Sequence, residues 1–131
     1  MLSIIIHEDF DTLIKNNIYP SIEVRVIEHK YSEIGINTDK SIVELAVNSI
    51  SNYSENQQEE FLFIKVGGEP RFIQWKDFYY KELENNNYSF FLQIDEEGYA
   101  DNMDYVFTFG GLYLYKHNNT GEIIAGFWQY S

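Results

Sequence analysis

Two apolar, aromatic segments that flank a turn constrain the fold more than any other feature of the sequence. They are "LYLYKH" (residues 112–117) and "EIIAGFWQY" (residues 122–130), and "NNTG" (residues 118–121) separates them. Asn and Gly tolerate the positive φ angles that tight turns require. Aromatic and β-branched side chains suit a pleated, half-buried surface. The sequence therefore predicts a β-hairpin here.

Other segments are also typical of strands. Ile22, Val24 and Val26 alternate with Glu23 and Arg25, which predicts a strand with one apolar face. An apolar run at residues 2–6 fits either a strand or the start of a helix. Four further strands are predicted, the first of them followed by the turn "GGEP": "FLFIKV" (61–66), "RFIQW" (71–75), "YSFFLQI" (88–94) and "YVFTF" (105–109). The last of them is either a separate strand or part of a long bent strand that leads into the hairpin.

The segment "YSFFLQI" also predicts which side chains share a face. Successive residues of a strand point to opposite sides of the sheet. We therefore expect Phe90, Leu92 and Ile94 on one side of a central strand, and Phe91 and Gln93 on the other.

Helical patterns are fewer. Residues 9–17 place apolar side chains at helical spacing behind acidic ones, and residues 37–51 combine an apolar stripe with a capping box. Residues 75–86 are ambiguous, but their apolar residues also fit a helix that the asparagines at its end would terminate. We predict an α+β fold in a single domain covering residues 1–131, with an antiparallel-rich β-sheet and two or three helices.

The overall charge restricts the possible partners. The chain of 131 residues carries a net charge of −12, with its acidic residues spread through the whole length. Nucleic acid and anionic membranes attract clustered Lys and Arg, so we expect neither as a partner. No apolar run is long enough to span a membrane, and the first residues do not resemble a signal peptide, so we expect a cytoplasmic protein.

Motifs for catalysis or cofactor binding are not found in the sequence. There is no Cys, which excludes thiol nucleophiles and cysteine-ligated metal sites. His7, His29 and His117 lack the spacing of a zinc-binding helix, and "KVGGEP" (residues 65–70) lacks the spacing of a phosphate-binding loop. We therefore expect a protein that is not an enzyme and needs no cofactor and no metal.

The stretch "FFLQIDEEGYADNMD" (residues 90–104) ends in a group of acidic side chains without a basic one. Counted from the first of them, the positions that an EF-hand reserves for Gly and Glu hold other residues. A solvated loop between two strands remains open. The alternative is a loop that binds a basic protein partner, through Asp95, Glu96, Glu97, Asp101 and Asp104.

Three glutamines lie inside apolar strand segments. They are Gln74 in "RFIQW", Gln93 in "FFLQI" and Gln129 in "GFWQY". A buried amide must form hydrogen bonds, because leaving it without them costs a few kcal/mol. These side chains therefore either bind irregular backbone or line a pocket.

The second half of the chain resembles the YwqG-like family of bacterial proteins. The resemblance rests on four segments in the same order: "KVGGEPRFIQ" (65–74), "FFLQID" (90–95), "VFTFGGLYLYKH" (106–117) and "FWQY" (127–130). The chain is shorter than typical members, and its glycine segment lacks the acidic residue often found there. The resemblance implies a β-rich α+β fold and gene neighbourhoods that encode secreted toxins.

Two functions from different classes follow as hypotheses. The first is a non-enzymatic binding protein, and more narrowly a cytoplasmic immunity protein that neutralises a bacterial toxin through an acidic surface. The narrower form follows from the family resemblance, and the acidity suits it because an acidic inhibitor is steered towards a basic target. The alternative is a small-molecule or peptide-binding module with a pocket lined by the glutamines and aromatic residues.

Overall fold

The computed structural model describes residues 1–6, 16–33, 63–96 and 110–131. This part of the chain consists mostly of β-strands with little helix. A 3-10 turn covers Asp77–Tyr79, and the helix α1 covers Lys81–Asn85. The strands are β1 (Leu2–Ile5), β2 (Arg25–Glu28), β3 (Ile64–Val66), β4 (Tyr88–Ile94), β5 (Gly110–His117) and β6 (Ile123–Tyr130).

The described strands form two antiparallel sheets. Strands β1 and β2 pair with each other, and the larger sheet has the order β3-β4-β5-β6. Strands β5 and β6 form the predicted hairpin, and Gly121 in the turn between them has a φ angle of +77°. The antiparallel-rich sheet is therefore confirmed, because the turn chemistry and the apolar strand patterns are both local.

The helical part of the prediction is only partly matched. Residues 75–86 contain the 3-10 turn and α1, so this segment is helical over about two short turns rather than throughout. The predicted helix at residues 37–51, and residues 9–15 of the other, lie outside the described residues. Within the described residues, no helix is long and apolar enough to cross a membrane.

Both faces of the larger sheet are covered. On one face, Leu112, Leu114 and Trp128 pack with Val24, next to the β1–β2 pair. On the other face, aromatic residues of β5 and β6 pack under the 3-10 turn and α1: Tyr113, Tyr115 and Phe127 against Tyr79 and Leu83. All six residues at positions 110–115 of β5 are therefore buried. This explains why apolar and polar residues do not alternate along that part of β5.

The alternation in β4 is interrupted by a bulge. Phe90 pairs with Tyr115 of β5, and Leu92 pairs with Leu114, which is adjacent to Tyr115 in the chain. Phe91 is therefore an extra residue without a partner in the register of the two strands. Phe90 consequently lies with the aromatic cluster, and Phe91 lies on the same side as Leu92. The predicted side of the sheet was therefore wrong for Phe90 and Phe91. The extra residue in a bulge reverses the alternation of side chains on one side of the bulge.

Residues 17–18 protect part of the outer edge of β6. The carbonyl of Asn17 accepts the backbone N–H of Trp128 at 2.8 Å, and the Asn17 side chain donates to the Trp128 carbonyl at 3.0 Å. Ile18 forms a bridge with Phe127. A strand edge covered in this way does not offer its backbone groups to another chain.

Candidate functional site

The segment of residues 71–75, called the strap below, crosses one face of the sheet. It was predicted as a strand, and this prediction was wrong, because in the structure the segment is bent and does not pair with a neighbouring strand. The strap follows the turn at Gly67 and Gly68, both of which have positive φ angles near +70°. Side chains from the sheet, rather than another strand, bind much of its backbone.

Gln93 binds the first residue of the strap. Its Oε1 accepts the backbone N–H of Arg71 at 3.0 Å, and its Nε2 donates to the Arg71 carbonyl at 3.0 Å. Only 2% of Gln93 is exposed. The side-chain amide thus makes the two bonds that the peptide group of a neighbouring strand would make.

Gln129 binds the middle of the strap in the same manner. Its Oε1 accepts the backbone N–H groups of Ile73 at 2.9 Å and Gln74 at 3.3 Å. Its Nε2 donates to the Gln74 carbonyl at 2.9 Å. Gln129 is fully buried, so these bonds satisfy an amide that would otherwise be costly to bury.

The hydroxyl of Tyr113 lies between the two glutamines. It donates to the Arg71 carbonyl at 2.6 Å and accepts from Gln93 Nε2 at 3.3 Å and from the Ile73 N–H at 3.4 Å. Burial raises the pKa of Tyr113 well above its ordinary value, and Asp95 raises it further, while the Ile73 N–H acts in the opposite direction. The hydroxyl therefore remains a neutral hydrogen-bond donor at physiological pH.

Aromatic side chains that pack against Phe72 also hold the strap in place. The Phe72 ring stacks on Tyr80 at 5.1 Å between ring centroids, on Tyr113 at 5.9 Å and on Phe127 at 6.1 Å. The ring of Trp75 meets Phe72 edge-on at 4.7 Å. Two strap residues remain accessible, since Ile73 is 39% exposed and Trp75 is 75% exposed.

The strap lies near the start of residues 95–104, which are called the acidic segment below. Strand β4 ends at Ile94 and β5 begins at Gly110, and Ile94 pairs with Leu112, so the end of β4 and the start of β5 lie at the same end of the sheet. A Cβ atom on Gly111 would be 3.8 Å from Ile73 Cδ1. The exposed strap residue Ile73 is therefore a neighbour of the place where the acidic segment starts.

Two of the five predicted acidic site residues are described, and both are partly exposed. The backbone N–H of Asp95 donates to the Phe63 carbonyl at 2.8 Å, and its Oδ1 accepts the N–H of Glu96 at 2.8 Å. Glu96 Oε2 accepts the hydroxyl of Ser131 at 3.3 Å. The others, Glu97, Asp101 and Asp104, lie outside the described residues.

The three predicted glutamines have different environments. Gln93 and Gln129 are on the same face of the sheet, and both bind backbone of the strap. Gln74 is itself a strap residue, and its Nε2 donates to the Tyr130 carbonyl at the edge of the sheet at 3.3 Å. A ligand that used the buried amides would therefore have to displace the strap. The accessible Trp75 beside Gln74 was not singled out from the sequence, since nothing in its local pattern distinguishes it from a core aromatic.

The histidines that the structure describes take part in local hydrogen bonds. The ring of His29 lies 2.7 Å from the Ser3 hydroxyl, and Nδ1 of His117 accepts the backbone N–H groups of Asn119 and Thr120, both at 3.2 Å. His7 lies outside the described residues. Among the residues with described positions, no three acidic or histidine side chains are grouped as a metal site.

Comparison with known proteins adds no relative. No protein-family model, curated protein or solved structure matches this chain. The resemblance to the YwqG-like family therefore stays a prediction.

Proposed function

We propose that this chain is a non-enzymatic binding protein that engages a basic protein partner at the end of the sheet where β4 ends and β5 begins. The observation that carries the proposal is the position of Asp95 and Glu96. Both are partly exposed, at the start of the acidic segment, and the accessible side chain of Ile73 lies at the same end of the sheet. Binding residues are commonly found on loops that a rigid scaffold positions.

The charge of the chain supports a basic partner. A net charge of −12 produces a negative potential that attracts cationic proteins over several ångströms. Electrostatic steering of this kind raises association rates by roughly 10- to 1000-fold at low salt. Five of the acidic residues fall within positions 95–104, without a basic one, and the two described among them, Asp95 and Glu96, lie at one end of the sheet.

The narrower form of the proposal is a cytoplasmic immunity protein whose partner is a toxin. Its support is the order of the four segments that resemble the YwqG-like family, together with the acidity of the chain. An acidic inhibitor suits a toxin that acts on nucleic acid, because such a toxin needs a basic surface to bind its own substrate.

The test is to identify the partner and then to measure association rates with purified proteins. Tagged protein is used to capture partners from the native host, and rates are measured by stopped-flow at low and high salt. The variant carries Glu96→Lys, Glu97→Lys and Asp101→Lys. We expect it to associate at least about tenfold more slowly than wild type at low salt, with a weaker salt dependence.

A matched control separates a local effect from a change in total charge. The exposed residues Glu28, Glu33 and Glu82 are replaced by Lys in the control, which changes the net charge by the same amount. The variant with Lys at positions 96, 97 and 101 is called the loop variant. We expect the control to associate with the partner faster than the loop variant. Equal rates for the two variants would refute an interface at the β4–β5 end. A captured partner that is not basic would refute the electrostatic part.

A further inference from the structure

We propose that Trp75 and Ile73 of the strap form the apolar centre of the partner interface. They would bind an apolar side chain in a segment of the partner that also carries arginine or lysine. This inference rests on the proposed function, and it adds both the residues that anchor the partner and the chemistry of the segment they bind.

Exposure of the strap is the first argument. Trp75 is a large aromatic residue with three quarters of its surface accessible, and Ile73 is exposed beside it on the same short segment. Tyr130 at the end of β6 and Phe78 in the 3-10 turn are also exposed large hydrophobic residues. Where accessible apolar side chains form one surface, that surface is typically a protein interaction site. Trp is also enriched among the residues that dominate binding energy.

Rigidity is the second argument. The backbone of the strap is bound by Gln93, Tyr113 and Gln129, all of them buried in the sheet, and Phe72 packs beneath it. An accessible side chain on a fixed backbone loses little conformational entropy when a partner covers it. The hydrogen bonds that hold the strap therefore also prepare Trp75 for binding.

Charge complementarity indicates which kind of partner segment would bind the strap. Asp95 and Glu96 lie at the same end of the sheet as Ile73, and the chain as a whole is strongly acidic. Two basic residues belong to the strap or adjoin it: Arg71 is its first residue, and Lys76 lies over the Phe78 ring with its Nζ 5.9 Å from the ring centroid. A second copy of this chain would bring another net charge of −12 to the surface. A basic segment with an apolar side chain matches both the accessible aromatic centre and the acidic surroundings.

The test uses three synthetic peptides of twelve residues as probes: alternating Arg and Leu, alternating Arg and Ser, and alternating Glu and Leu. Affinities are measured by calorimetry, and Trp emission is followed in parallel. Trp128, the second Trp of the chain, is fully buried, so a change in emission reports mainly on Trp75. We expect the Arg–Leu peptide to bind about tenfold or more tightly than the other two and to shift the emission to shorter wavelengths.

Variants test whether the strap is the binding site. Trp75→Ala is expected to weaken binding of the Arg–Leu peptide about tenfold or more, as removal of a dominant interface residue does. The matched control is Tyr31→Ala, which removes an aromatic residue that is 80% exposed and distant in sequence from the strap. It should bind like wild type. Circular dichroism and thermal melts of both variants check that the fold is intact.

The outcomes distinguish this inference from the proposed function. Equal affinity of wild type and Trp75→Ala would overturn the inference, as would equal binding of the Arg–Leu and Arg–Ser peptides or no binding of the Arg–Leu peptide. The proposed function would still stand if the loop variant associated slowly with the captured partner. Equal association rates for the loop and control variants would refute the proposed function.

Discussion

Replacing Gln129 with Leu tests whether side-chain amides hold the strap. Leu has nearly the same volume as Gln, so the substitution leaves the packing of a fully buried site mostly filled. It removes the acceptor for the N–H groups of Ile73 and Gln74 and the donor to the Gln74 carbonyl. The Gln74 N–H then loses this acceptor, while the Ile73 N–H keeps only the longer contact of 3.4 Å to the Tyr113 hydroxyl. The Gln74 carbonyl keeps the Lys76 N–H at 3.1 Å.

The expected loss of stability follows from these three hydrogen bonds. Each bond contributes about 0.5–1.5 kcal/mol net, and backbone groups left without partners in a partly buried position add to the cost. We therefore expect Gln129→Leu to lower the free energy of unfolding by about 2–4 kcal/mol. For a domain of this size, that loss corresponds to a melting temperature lower by roughly 7–15 °C.

Urea denaturation measures the free energy, and hydrogen exchange locates the change. The amides of Ile73 and Gln74 should exchange faster in the variant, because the strap opens without unfolding of the sheet. Gln74→Leu is the matched control, since this amide is partly exposed and makes a single bond of 3.3 Å to Tyr130, so it should cost less than about 1 kcal/mol. The reasoning is refuted if the two variants lose the same stability.

Three further predictions concern the core, the pH dependence and metals. Leu114→Ala, at a fully buried position, should cost about 2–5 kcal/mol in urea denaturation, and the half-buried Leu92→Ala less; equal losses would contradict the described burial. Because burial raises the pKa of Tyr113, the folded state keeps this proton where the unfolded chain releases it. Tyr113 should therefore lower the stability as the pH rises above about 10, contributing up to about 1.4 kcal/mol per pH unit, and the slope should be smaller in Tyr113→Phe; an unchanged slope would count against this assignment. Melting temperatures in calcium, magnesium, zinc and EDTA should coincide, and a saturable calcium shift that Asp95→Asn abolishes would contradict the expectation of no metal.

The hairpin and the strand patterns show what local sequence can predict. Turn residues at positions 118–121 and the apolar segments on either side act within a few residues of one another, so β5 and β6 could be assigned without knowledge of the fold. The alternation of Ile22, Val24 and Val26 predicted correctly that all three pack on the core. The predicted strand was only partly right, because β2 covers Arg25–Glu28.

The start of β5 shows where local reasoning was insufficient. The sequence presented residues 110–111 only as a glycine pair before an aromatic strand. In the structure, a Cβ atom on Gly110 would clash with the carbonyl of Gln129 and lie 2.7 Å from Nε1 of Trp128. Close approach between strands is a property of the assembled sheet, so the need for glycine at this position could not be predicted from neighbouring residues.

By itself, the sequence determined that the second half of the chain forms antiparallel strands and that three glutamines were embedded in apolar segments. It left open whether those amides bind backbone or line a pocket. Only the tertiary structure decided that Gln93 and Gln129 bind the strap, because the bonded residues are 22 and 56 positions apart. It also decided that Trp75 is accessible while Trp128 is buried. Burial and long-range hydrogen bonds depend on which elements the completed fold brings together, and no periodic pattern within a segment encodes that.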